Sequence, residues 1–187
     1  PLVPGQKYFI RLQLNHIGQA FDPGHRVRLA LSTSYWPIAW PPPELTTLGI
    51  HLGASRLILP ERPLRDEAPV RFEPPEGTPP TPETRLRSGE EAWRVIRDLA
   101  TGTSVLEVVN DEGRVYLEPL DLAVETRSVE RYVSRLNDPA SLEGSTEWRR
   151  LLERDGWTIE TRAAMNLTSS PDTFRLRAEI DVWEGDT

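Results

Sequence analysis

The residues of this chain that could take part in chemistry are few, and none stands in a catalytic pattern. Ser55 lies within Gly-Ala-Ser-Arg-Leu at positions 53–57. An α/β serine hydrolase needs Gly-x-Ser-x-Gly on a sharp strand-to-helix turn. The second glycine is absent here, so we interpret this segment as a plain turn at the entry of a strand. The three histidines, His16, His25 and His51, show no metal-ligand spacing and no paired carboxylate motif.

Other catalytic and ligand-binding chemistries are also missing. The chain has no cysteine, which removes disulfides, thiolate nucleophiles and Cys-ligated metals together. No glycine-rich phosphate loop is present. Asp181, Glu184 and Asp186 lack the spacing of a calcium loop, and we expect a solvated tail there. The sequence therefore predicts no catalytic residue, no cofactor-binding residue and no metal ligand.

Composition limits the partners of the chain. A net charge of −7 over 187 residues argues against a nucleic-acid-binding protein, which usually carries a basic face. No run of about 18 apolar residues predicts a membrane span, and no signal segment opens the sequence. We therefore expect a cytoplasmic protein without membrane contact. Because the chain begins on Pro1, we also expect it to be part of a longer polypeptide.

The densest aromatic feature is the segment 35–43, which holds Tyr35, Trp36, Trp40 and four prolines. Prolines fix φ and lower the entropy lost when a loop becomes ordered. We expect a stiff loop that leaves the sheet after a strand. Either Trp-Pro bond in it is a candidate for the cis form.

Alternating apolar residues predict strands on both sides of this loop. The pattern has period two over residues 8–14 and 26–33 before the loop, and over residues 47–52 and 57–59 after it. The segment 69–83 then carries six prolines, which exclude a helix interior or a central strand. We interpret it as an extended connector, so that residues 1–68 and 84–187 form separate parts of the fold.

The carboxyl-terminal part also reads mostly as strands. Short strands are predicted over 93–98, 105–109 and 114–118, with a hairpin turn at 110–113. Residues 157–167 and 174–182 predict a long antiparallel hairpin with one polar face, and with Ile159, Met165, Phe174, Leu176 and Ile180 buried on the other. Residues 128–136 fit either a strand or a helix. One short helix is predicted over 145–156. The predicted class is all-β, an antiparallel sandwich with one short helix.

The first third of the chain resembles a known family. The residues that carry the likeness are Phe21, Pro23-Gly24-His25-Arg26, Arg28-Leu29, Ser32, Trp36-Pro37, Trp40-Pro41, Leu57 and Leu59-Pro60. Together they resemble the carboxyl-terminal β-domain of the CocE/NonD hydrolases, the cocaine-esterase and X-Pro dipeptidyl-peptidase type. From residue 91 onward the likeness is looser and rests on Trp93, Arg97-Asp98, Asp111, Gly113, Asn137-Asp138-Pro139 and Asp155-Gly156-Trp157.

The resemblance implies a division of labour. Members of that family join an α/β-hydrolase domain, which carries a Ser-His-Asp triad, to a jelly-roll, galactose-binding-like β-domain. None of the triad positions lies in this chain, so the resemblance implies a non-catalytic accessory domain whose partner is an upstream α/β-hydrolase domain. It further implies that residues 1–68 are the later strands of a jelly roll and that residues 84–187 pack on the same sandwich.

The resemblance leaves two interpretations of Tyr35, Trp36 and Trp40. Both tryptophans can cap the end of their own sandwich. Alternatively, the loop docks on the hydrolase domain or forms a wall of its acyl pocket.

Two further functions remain alternatives: a carbohydrate-binding jelly-roll module, in which the three aromatic rings stack on sugars, and a structural or oligomerisation domain. We also expect the fragment to form a two-fold homodimer, because an unpaired strand edge at residues 7–14 invites pairing with another chain.

Overall fold

The computed structural model of the chain describes residues 3–62 and 70–185. By their internal contacts the residues divide into two units, Pro1–Ser32 and Thr33–Thr187. The first unit has two defined turns, at Gly5 and at Gly24, where the amide of His25 donates to the carbonyl of Asp22 over 3.1 Å. The second unit contains every strand of the described chain.

The second unit is built on one antiparallel sheet of seven strands in the order β1-β3-β4-β5-β6-β7, with β2 also pairing with β3. One 3₁₀ turn, Glu118–Leu120, joins β3 to β4. The strands are β1 (Glu83–Arg87), β2 (Glu90–Asp98), β3 (Thr103–Leu117), β4 (Leu122–Arg135), β5 (Asp138–Arg154), β6 (Trp157–Ser169) and β7 (Phe174–Glu184). The predicted all-β antiparallel class is confirmed, and one such sheet is consistent with a layer of a β-sandwich.

The predicted carboxyl-terminal hairpin is confirmed, and it is regular. β6 and β7 pair without a register shift from Ile159 opposite Glu184 to Ser169 opposite Phe174. The turn between them is closed by the amide of Ser170, which donates to the carbonyl of Thr173 over 2.8 Å. Alternation over nine or more residues is a strong signal, because each strand then has one apolar side and one polar side.

The predicted helix over 145–156 is wrong, because residues 145–154 belong to β5 and residues 155 and 156 form the turn that follows it. Trp148, Leu151 and Leu152 have helical spacing, but β4 and β6 pair with β5 along nearly its full length. Two flanking ladders outweigh a weak local preference. Most of the ambiguous segment 128–136 lies in β4, which pairs with β3 and β5.

The predicted hairpin turn at 110–113 is also wrong, because β3 continues through it. The register shifts between Asp111 and Gly113, which marks a β-bulge rather than a chain reversal. Gly113 has a φ of 78°, and a Cβ there would lie 2.3 Å from the carbonyl oxygen of Arg87. Turn-forming residues in a strand therefore mark the point where the neighbour of β3 changes from β2 to β1.

The alternating segments before residue 63 form no strand in the structure. Between residues 3 and 62 the only ladder contact is an isolated bridge of Tyr35 with Ala39. Alternation alone does not make a strand, since the backbone groups need a paired neighbour and the apolar side needs cover. The apolar side chains of these segments are exposed. Residues 70–82 likewise form no helix or strand. The assignment of residues 1–68 to a jelly-roll domain stays a prediction.

The sheet has two chemically different faces, which follow from its register. The first, here called the charged face, carries Glu107, Asp111, Arg127, Arg131, Glu147, Arg149, Glu160, Arg162, Arg175, Arg177, Glu179 and Asp181. The second, the apolar face, carries Trp93, Val95, Leu106, Tyr132, Trp148, Ile159, Met165, Leu167, Phe174, Leu176, Ile180 and Val182.

The five residues predicted to share the buried side of the hairpin do lie on the apolar face. Their predicted burial is wrong for four of them, Met165, Phe174, Leu176 and Ile180, which are exposed. In the described structure the buried apolar residues are only Val109, Ala123 and Leu142. The core is small because one layer of strands cannot exclude water from its own face.

Candidate aromatic docking site

The aromatic loop at residues 35–43 lies on the apolar face of the sheet. Tyr35 and Ala39 form an antiparallel bridge in which the Ala39 amide donates to the Tyr35 carbonyl over 2.8 Å. The peptide bond between Trp36 and Pro37 is cis, so one of the two predicted candidate bonds takes that form.

Four aromatic rings connect the loop to the sheet. Trp36 and Trp40 meet edge to face, with ring centroids 4.8 Å apart. Trp36 packs in the same manner on Tyr132 of β4, at 5.9 Å, and Trp40 on Phe174 of β7, at 5.4 Å. Edge-to-face pairs at these distances are favourable, because the positive ring edge meets the negative ring face.

A hydrogen bond fixes the position of Trp40. Its indole Nε1 donates to the Ser169 Oγ over 2.9 Å, at the end of β6. The hydroxyl of Tyr132 donates to the Glu130 Oε2 over 2.5 Å, and this bond, with partial burial, raises the pKa of Tyr132 to about 12. Tyr132 therefore stays a neutral phenol and serves as a packing partner rather than as a base.

The loop also presents side chains to solvent. Tyr35 is 70% exposed and Ile38 is 76% exposed, whereas Trp36 and Trp40 are half-buried. The three aromatic residues predicted as a site therefore separate into two anchors and one displayed ring. Ile38 was missed from the sequence, and so were the sheet partners Tyr132, Ser169 and Phe174. No local pattern points to a contact between residues 129 positions apart in the chain.

The charged face holds a second concentration of functional groups. Arg87 donates from Nη1 and Nη2 to the two carboxylate oxygens of Asp111 over 2.9 and 2.8 Å, and its Nη2 lies 3.1 Å from the Glu125 Oε1. The hydrogen bonds from Arg87, with a backbone bond from Gly113, hold the pKa of Asp111 below its usual value. Both oxygens of the Asp111 carboxylate accept hydrogen bonds. The ionised carboxylate therefore stabilises the bulge and is a poor general base.

A shallow hollow of about 280 Å³ on the charged face is lined by Arg127 and Arg131, among others. Arg131 Nε donates to the Glu107 Oε2 over 2.8 Å, and Arg127 Nε lies 3.9 Å from the Asp111 Oδ2. Glu107 also lies 3.5 Å from Arg94. The cations of this hollow thus face carboxylates of their own sheet.

The other residues considered from the sequence are not brought together. His16, His25 and His51 lie exposed, and Ser55 donates through Oγ to the carbonyl of His51 over 2.9 Å, as in a turn. Within the described ranges no group of three His, Asp or Glu residues could hold a metal ion. Over those same residues, no helix has the length and hydropathy to cross a bilayer.

The fold and the loop define an all-β domain that displays an aromatic surface. Residues 1–96 match the family of X-Pro dipeptidyl-peptidase C-terminal non-catalytic domains. This match covers half of the chain, and the chain belongs to that family. No curated protein and no solved structure gives a significant match. The family match ends inside β2, so the sheet partners of the two tryptophans lie outside it.

Proposed function

We propose that this chain is the accessory β-domain of a CocE/NonD-type serine hydrolase, in which an upstream α/β-hydrolase domain cleaves ester, amide or X-Pro bonds. The family match supports this proposal most strongly, because the matching family is described as a non-catalytic domain at the carboxyl terminus of X-Pro dipeptidyl-peptidases. In such an enzyme the serine attacks a carbonyl and an oxyanion hole stabilises the intermediate. We place the protein in the cytoplasm.

The part of this domain that meets its catalytic partner is, in this proposal, the aromatic loop. Its rigid base is supplied by Trp36 and Trp40, which are held by ring contacts and by the bond to Ser169. Its tip is supplied by Tyr35 and Ile38, which are exposed. An aromatic and an aliphatic side chain on a stiff loop resemble the anchors that fill pockets in protein interfaces.

The docking role is tested in the polypeptide in which this chain is joined to its catalytic domain. The double variant Tyr35→Ala, Ile38→Ala should raise KM or lower the temperature of inactivation while the isolated chain keeps its unfolding midpoint. Leu52→Ala, at an equally exposed site outside the loop, is the matched control. Unchanged kinetics and inactivation of the joined protein would remove the loop from the interface.

A carbohydrate-binding module is the alternative that shares the aromatic loop. Sugar stacking needs open ring faces, and in this loop the two tryptophans turn edge to face toward each other and toward the sheet. That arrangement supports the accessory-domain proposal over sugar binding. A glycan panel against the isolated chain tests the alternative, and a hit abolished by Tyr35→Ala would favour it.

We still propose that the chain self-associates, but through a different surface from the one predicted from the sequence. We expected a free strand edge at residues 7–14, and the structure forms no strand there. A dimerising role therefore needs an edge that exists in the sheet, which is taken up below.

A further inference from the structure

Strand β7 is a regular edge strand of the sheet. Among the described residues only β6 pairs with it, and all eleven of its residues are exposed. It contains no proline, no glycine and no bulge. Proline, bulges and charged side chains protect many natural edge strands, and of these devices β7 carries only charges, which are of both signs.

The backbone of β7 shows which groups the edge offers. The amides of Ser170 and Gly185 donate to Thr173 and Thr158, and both pairs lie on the register of the β6–β7 ladder. Hydrogen-bonded pairs alternate along an antiparallel ladder, so the odd-numbered residues of β7 bond to β6. The even-numbered residues from Phe174 to Glu184 therefore point their N–H and C=O groups outward.

We propose that β7 pairs antiparallel with β7 of a second copy of this chain, about a two-fold axis that passes through Ala178. Phe174 then opposes the partner's Val182, and Leu176 opposes the partner's Ile180. All of these are even-numbered, so about ten outward backbone hydrogen bonds form between the two edges. The two sheets become one continuous sheet.

Charge complementarity selects this register. On the charged face Arg175 lies opposite the partner's Asp181, and Arg177 opposite the partner's Glu179. The two-fold axis repeats each pair. Within the described ranges Arg175 makes no ion pair. Asp181 lies opposite Arg162 of β6 and attracts it without a hydrogen bond, and Arg177 contacts Glu179 of its own strand. The charges needed for the pairing are thus exposed and arranged with opposite signs at equal distances from Ala178.

Neighbouring registers that keep the two faces aligned bring like charges together. An axis at Glu179 opposes that residue to the partner's Glu179. An axis at Arg177 opposes two arginines, and an axis at Ile180 sets Glu179 against the partner's Asp181. Like charges directly opposite each other destabilise a strand pair. Only the axis at Ala178 gives two attractive pairs with none of these repulsions.

The opposite edge of the sheet does not offer the same surface. It is divided between β1 and β2, with a register shift between Arg85 and Arg87. A centred two-fold pairing of β2 would place Arg94 against the partner's Arg94 and Glu90 against the partner's Asp98. The self-complementary edge is therefore β7, and this inference stands independently of the proposed function.

Two charge variants of the full chain test the proposal. Arg175→Glu with Arg177→Glu makes the edge acidic, and Glu179→Arg with Asp181→Arg makes it basic. Each variant alone should be monomeric in sedimentation equilibrium, with a dimer dissociation constant at least about tenfold above that of the unmodified chain. Mixed one to one, the two should form a heterodimer, because every opposed pair is again of opposite charge. Arg154→Glu, at an exposed site on β5, is the control and should leave the dimer intact.

A cysteine scan tests the register without changing charge, and it keeps the proposal decidable if a charge variant fails to fold. The chain has no cysteine, so an introduced one reports alone. Ala178→Cys should form a disulfide-linked dimer on oxidation, because opposed Cα atoms lie about 5.5 Å apart in a hydrogen-bonded pair. Ile180→Cys should not, because its copies are offset by about 13 Å along the strands.

Three results would each overturn the proposal: a monomeric unmodified chain at about 100 μM, where even a weak dimer is populated; folded charge variants that dimerise alone as tightly as the unmodified chain; or equal cross-linking of the two cysteine variants.

Discussion

Trp40 anchors the aromatic loop through one hydrogen bond and two ring contacts. Its indole nitrogen is bonded to Ser169, and its ring packs on Trp36 and Phe174. Trp40→Phe keeps a ring but removes the donor, and Ser169→Ala removes the acceptor. Each should lower the free energy of unfolding by about 0.5–1.5 kcal/mol, the net value of one hydrogen bond.

The double variant Trp40→Phe, Ser169→Ala should cost little more than either single change, as urea unfolding would show. Such non-additivity is the signature of a shared contact. Strictly additive losses would mean that the two residues do not interact in solution.

Asp111 should make stability depend on pH in the acidic range. Its pKa is lowered by Arg87, so its contribution is fully present above the unfolded value of about 3.9 and is lost as pH falls through the folded value. Asp111→Asn should therefore be less stable than the unmodified chain at pH 7, with a difference that shrinks below about pH 4.

Thermal unfolding between pH 7 and pH 2.5 measures this difference. Glu91→Gln removes a carboxylate that makes no ion pair with any other described residue, and it serves as the control. A constant gap between Asp111→Asn and the unmodified chain over that range would show that the ion pair with Arg87 does not form.

At the scale of elements, burial rather than hydrophobicity decides the cost of truncating a leucine. Leu142 on β5 is 5% exposed and Leu176 on β7 is 65% exposed. Leu142→Ala should cost about 2–5 kcal/mol, as truncations of buried side chains do. Leu176→Ala should cost less than about 0.5 kcal/mol, as exposed substitutions do.

Both leucine variants are compared by urea unfolding at a concentration where the chain is monomeric, so that no β7 contact with a second copy contributes. A large cost at Leu176 would mean that another part of the chain covers the apolar face in solution.

The sequence predicted the elements whose signals are long and regular. Strands β6 and β7 follow from alternation over many residues, and so does the apolar face that they share. Strand β5 could not be predicted, because its Trp148, Leu151 and Leu152 spacing is helical and only the two neighbouring ladders decide the outcome. The bulge at Asp111 resembles a turn locally, since both features need glycine at positive φ.

Only the aromatic residues of the candidate site could be predicted from the sequence, because their partners in the sheet lie far away in the chain. Tyr35, Trp36 and Trp40 stood out by composition. Which of them anchor the loop and which is displayed depends on Tyr132, Ser169 and Phe174, which lie far away in sequence. Contacts of that kind are set by the topology of the sheet and leave no local pattern in the sequence.

At the scale of the whole molecule, the sheet of the second unit is amphipathic, and we propose that two of its surfaces bind partners of different kinds. In these proposals the aromatic loop presents the exposed Tyr35 and Ile38 to a catalytic domain, and the β7 edge presents charges and backbone groups to a second copy. The family describes a non-catalytic domain, and on the charged face Asp111 and Glu107 are bonded to Arg87 and Arg131.

The central claim is that this chain carries no hydrolytic activity of its own, and one assay tests it directly. The purified chain is incubated with p-nitrophenyl acetate and with an X-Pro anilide, with and without a serine-directed fluorophosphonate. We predict release of chromophore at the rate of buffer alone in every arm. Turnover that survives repurification and disappears with the inhibitor would contradict the account.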